Sequence, residues 1–126
     1  MISEKRLCRK VEELRKKYED RLPKTLEQEE YNMLSEKIYS LLEGYKVHIM
    51  AFCKLGGKVD SSLRLYRPAH DCDKAYCIDR CLEGMNRHLR ETVNLIDESL
   101  KLANLSETDR KHEINRIANS RYISAY

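Results

Sequence analysis

Apolar side chains recur along this chain at alternating steps of four and three, the spacing that lines one face of an α-helix. Leu7, Val11, Leu14, Tyr18 and Leu22 predict a first helix over 4–21, with Ser3 as its cap and Pro23 ending it. Tyr31, Leu34, Ile38, Leu41, Tyr45, His48 and Phe52, widened by Leu42 and Ile49, predict a second over 26–55. Thr25 and Gln28 read as a capping box at its start, and Gly56-Gly57 as its stop. Ile78, Leu82, Met85, Leu89, Val93, Ile96, Leu100 and Ala103 predict a third over 71–103. A thinner stripe of Ile114, Ile117, Ala118, Tyr122 and Ala125 predicts a fourth over 107–123, with Ser106 as cap.

No stretch alternates cleanly enough for a strand, and no internal repeat is apparent. Residues 56–70 read as a loop closed by Pro68. Its Leu63, Leu65 and Tyr66 are too apolar for a free tether, so part of it should pack on the helices. The expected fold is all-α: one helical domain over 1–126, an antiparallel hairpin of two long helices covered by two shorter helices, four-helix bundle-like. Gly44 and Gly84 should fall at the same level of that hairpin. A mid-helix glycine costs about 1 kcal/mol against alanine, so two at one level predict a close crossing that a side chain would block.

Composition agrees with this picture. The 126 residues are 41% hydrophobic and 36% charged, with mean hydropathy −0.70, four glycines and two prolines. A collagenous, low-complexity or disordered chain is excluded. No run approaches the roughly 20 apolar residues that span a bilayer, so no membrane role is expected. The charged start lacks an apolar segment behind it, and Glu4, Glu12, Glu13, Glu19 and Asp20 argue against a mitochondrial presequence. The expected location is cytoplasmic or nuclear, with reduced thiols.

The formal charge is only +3, but it is unevenly placed. Residues 1–24 hold nine basic against five acidic groups, and residues 58–69 three against one. Lys5, Arg6, Arg9, Lys10, Arg15, Lys16 and Lys17 cluster on the first helix. Lys54, Lys58, Arg64, Tyr66 and Arg67 gather at the tip of the expected hairpin, where arginines could hold phosphates and the tyrosine stack a base. An RNA- or ribosome-binding factor is one reading of these groups.

Five cysteines raise a second possibility. His70, Cys72 and Cys77, with Cys53 brought alongside by the hairpin, could supply four zinc ligands, although the usual C-x2-C knuckles are absent. Cys77-x3-Cys81 is similar to one half of the twin C-x3-C pattern of small mitochondrial intermembrane-space proteins. That pattern needs a second pair on the facing helix, which offers only Cys53, and the resemblance is not adopted.

Catalytic signatures are missing. His48 lies on an apolar stripe, His88 and His112 fall outside the stripes and read as solvated, and Gly56-Gly57-Lys58 lacks the remaining P-loop frame. The expected class is a non-enzymatic protein–protein interaction module, a small subunit or adaptor, without a cofactor and with a protein partner or a second copy of the chain. Tyr31, Tyr39, Tyr45, Tyr122 and Tyr126 are its candidate contacts, since a tyrosine ring buries area while its hydroxyl keeps a polar contact.

Overall fold

The Ser3 hydroxyl accepts the Arg6 N–H at 3.2 Å and so opens α1, Glu4–Glu19. Leu7 and Val11 are buried, Leu14 and Tyr18 half-buried, and Leu22 beyond the helix end is 2% exposed. This computed structural model describes residues 2–69 and 73–119.

The second helix, α2, spans Gln28–Lys54 and starts two residues later than the stripe predicts. Its capping box is Glu27 with Glu30, not Thr25 with Gln28: the Glu27 N–H donates to Glu30 Oε1 at 3.0 Å. Glu30 is 3% exposed because Arg110, 80 residues further along the chain, also claims it. Leu34, Ile38, Leu41, Leu42, Tyr45, Ile49 and Phe52 are all buried, so this stripe is the core of the molecule.

Between the long helices stands a small element that the alternation pattern does not reveal. Lys58–Val59 (β1) and Leu65–Tyr66 (β2) pair antiparallel, Lys58 opposite Tyr66 and Val59 opposite Leu65. Asp60 organises the turn, its Oδ1 accepting the Ser62 and Arg64 N–H groups at 2.8 and 3.0 Å. Leu63 takes a left-handed φ of 62° within it. Val59 is 1% exposed and its carbonyl accepts the Ile2 N–H at 3.1 Å, which ties the start of the chain to the hairpin.

The third helix, α3, runs Ala75–Leu100 and tightens into a 3-10 turn, Lys101–Asn104. Its buried face is rotated from the predicted stripe. Leu100 is 50% exposed, whereas Cys81, Thr92, Leu95 and Ser99 are buried. Thr92 and Ser99 can bury because their hydroxyls donate to carbonyls of their own helix, His88 O at 2.8 Å and Ile96 O at 2.7 Å. The fourth helix, α4, Glu107–Ala118, is capped by Ser106, whose hydroxyl accepts the Asp109 N–H, and buries Ile114 and Ile117.

The molecule is all-α apart from this two-stranded ribbon, and α2 is its centre, touching α1, α3 and α4. Gly44 faces His88, Gly84 faces His48, and Lys37 lies near Glu91, so α3 descends as α2 ascends. Lys46 beside Cys8 and Ser35 bonded to Glu19 show the same opposed sense for α1 and α2.

Candidate functional site

Folding sorts the predicted site residues into several places. On α1, the outward side chains Lys5, Arg6, Arg9, Lys16 and Lys17 are exposed and make no ion pair among the described residues. The hairpin lies along one flank of this helix. Two clefts of about 310 Å³ and one of about 400 Å³ follow that flank. The first is lined by Ser3, Lys5, Arg6, Arg9, Lys10 and Glu13. Arg6 continues into the second, beside Asp60 and Ser61, and Lys10 into the third, beside Lys17, Ser61 and Ser62. The first cleft lies on α1 itself and the other two between α1 and the turn of the hairpin; basic side chains and serine hydroxyls predominate along them, interrupted by Glu13 in two clefts and by Asp60 in the remaining one.

The predicted basic tip is only partly assembled. Lys58 and Tyr66 face each other across the ribbon, and Arg64 stands at its turn. Tyr66 is 49% exposed, and its hydroxyl donates to Asp60 Oδ2 at 3.0 Å. The Arg64 N–H, the other hydrogen bonds and the neighbouring charge hold the Asp60 carboxyl below the ordinary aspartate range, and Asp60 in turn raises the Tyr66 phenol. Arg67 points elsewhere, toward α3, with Nη1 2.6 Å from Asp79 Oδ1. Lys54 is the last residue of α2.

Of the candidate contact tyrosines, Tyr45 is 5% exposed in the core and is not available surface. Tyr31 is half-buried against the same core. Tyr39 is 47% exposed, with the Arg15 guanidinium over its ring at 4.9 Å. Arg15 is held there by Glu19 Oε1 at 2.6 Å, and Glu19 also accepts the Ser35 hydroxyl at 2.7 Å. Tyr122 and Tyr126 lie outside the described residues. The most exposed described tyrosine, at 72%, is Tyr76 at the start of α3, with the Arg80 guanidinium 5.6 Å from its ring.

Among the described residues no three metal-binding side chains cluster. Cys77 is exposed, Cys53 half-buried and Cys81 buried, all as free thiols; burial pushes the Cys53 and Cys81 thiols up. His70 and Cys72, the other two expected zinc ligands, lie outside the described residues.

A cluster that the stripes miss lies at the α2–α3 crossing. A Cβ on Gly44 would stand 2.7 Å from the His88 ring, and one on Gly84 would stand 2.5 Å from the His48 ring. Each glycine is thus a notch for the histidine of the opposite helix, and the ring centroids lie 5.2 Å apart. His88 is half-buried at this joint instead of solvated. The shared spacing, Gly44-x3-His48 and Gly84-x3-His88, is the sequence signal for it.

None of the described helices is long and apolar enough to cross a membrane. No protein-family model, curated protein or solved structure matches the chain.

Proposed function

We propose that this chain is a non-enzymatic helical binding module, and that its docking face is the basic flank of α1 together with the β1–β2 hairpin. One observation carries the reading: Lys5, Arg6, Arg9 and Lys17 are exposed without ion-pair partners among the described residues, along one line of clefts. Elsewhere Arg110 and Lys111 pair with Glu27 and Arg116 with Glu113, while Lys54, Lys74 and Lys101 stand exposed without an ion pair among the described residues but apart from those clefts. The apolar stripes of α2 and α3, by contrast, lie mostly inside the molecule, which leaves them little to offer a partner.

The partner that suits this face is a strand of RNA. Phosphates would sit against Arg6 and Lys17, and against Lys10 on exchange of its 3.5 Å ion pair with Glu13, with the Ser61 and Ser62 hydroxyls as further donors. Tyr66 supplies an exposed ring on the same hairpin for a base. Affinity built this way is mostly counterion release and carries little sequence preference.

The test is retention of single-stranded RNA, with polyglutamate as the rival polyanion, at about 50 mM and about 200 mM salt. RNA bound at the lower salt and shed at the higher supports the proposal. Retention of polyglutamate alone transfers the face to an acidic protein partner, and retention of neither removes the docking face.

A further inference from the structure

The histidine pair at the helix crossing plays no part in that docking face, yet it is a closely fitted polar contact between the two long helices. Two imidazoles from opposite helices lie side by side, each over a glycine where any larger residue would displace it. His88 Nδ1 is buried and has no hydrogen-bond partner among the described residues. We propose that His48 and His88 form a pH-sensitive joint, in which acidification protonates the pair and loosens the α2–α3 crossing at the level of Gly44 and Gly84.

The surroundings favour two neutral rings. A proton added at His88 Nδ1 creates a buried N–H that faces no acceptor, and a second proton on His48 sets like charges side by side. Arg87 of α3 adds positive charge to both rings. The other charged groups at this level are Lys37 of α2 and, on α3, Arg90 and Glu91. Glu91 is an acid of this group, and one of its carboxyl oxygens is itself buried without a hydrogen-bond partner among the described residues.

Burial first, and the neighbouring cations second, hold both histidines below the ordinary imidazole value. The folded chain therefore binds fewer protons here than the unfolded chain does. The stability of the joint is complete above the ordinary histidine value and declines as the pH falls through it toward the folded values. Glu91 works the other way, because burial raises its carboxyl, so the loss on acidification belongs to the imidazoles.

Ring proton resonances of His48 and His88 in the full chain, followed by NMR from neutrality to about pH 5, test the joint directly. Both rings should titrate below free histidine, and amide exchange over 44–52 and 84–92 should speed up in the same interval beyond the intrinsic pH effect. The thermal midpoint should fall by several degrees across it, and His48→Gln with His88→Gln should remove most of that fall. Titration at or above the free-histidine value would overturn the joint, and would indicate that the ionised Glu91 carboxylate accepts a hydrogen bond from the imidazolium. An undiminished fall in the double variant would overturn it as well. If that variant does not fold, the ring titration and the exchange rates of the natural chain decide alone.

Discussion

The Arg110 guanidinium of α4 donates through Nε to both carboxyl oxygens of Glu30 on α2, at 3.3 and 3.2 Å, across 80 residues of sequence. Glu30 simultaneously caps its own helix through the Glu27 N–H. Arg110→Met leaves this buried carboxylate without its cation and should lower stability by about 2–4 kcal/mol in denaturant unfolding. Glu30→Gln with Arg110→Met should recover much of that loss, since the uncompensated charge is then gone.

Gly44→Ala would gain about 1 kcal/mol of helix propensity on an open helix surface. Here the added methyl meets the His88 ring, so the net effect should be a loss of about 1–2 kcal/mol. In the His88→Ala background the same substitution should turn neutral or stabilising. A double-mutant cycle by thermal unfolding reads this coupling.

Asp60 is a turn organiser that keeps its charge to lower pH than an ordinary aspartate through the Arg64 and Ser62 N–H groups. A depressed carboxyl stabilises above its ordinary value, and the contribution disappears as the pH falls through the folded one. Asp60→Ala should therefore open the hairpin at neutral pH, with faster amide exchange at Ser62 and Arg64, while the helical circular-dichroism signal is retained. Asp60→Asn should fall between.

Thiol labelling should resolve the described cysteines into two classes. Cys8 and Cys77 are exposed and should react first; Cys53 and Cys81, shielded and raised by burial, should lag until denaturant is added. Site-resolved mass spectrometry of a labelling time course provides the check.

The four helices, the apolar stripe of α2 and the Ser3 and Ser106 caps were legible because each is written in residues a few positions apart, whereas the stripe of α3 was legible only in part. What escaped was fixed by partners distant in sequence or by letters that an apolar stripe ignores. Arg110 selects Glu30 over Gln28 for the α2 cap. Thr92 and Ser99 continue the buried face of α3 although they are polar, because each satisfies its hydroxyl within its own helix. The hairpin pairs only two residues on each strand, too few to alternate visibly. Its turn is instead set by Asp60, a residue type that organises turns. The spacing brought Gly44 and Gly84 to the same region of the hairpin, but each glycine faces a histidine of the opposite helix and not the other glycine. On the candidate surface, the basic character of α1 and of the hairpin was legible separately. Their contact was not, since it depends on Ile2 reaching Val59 and on the turn folding back along Lys10 and Lys17.

The most direct measurement of the docking face is the salt dependence of RNA affinity for the natural chain and for Arg6→Glu with Lys10→Glu, by fluorescence anisotropy. Both positions lie on exposed or half-exposed helix surface, so circular dichroism should show both proteins folded alike. The account predicts weaker binding for the variant and a log–log salt slope shallower by about one for each lost phosphate contact. Equal affinity and equal slope for the two proteins would contradict it.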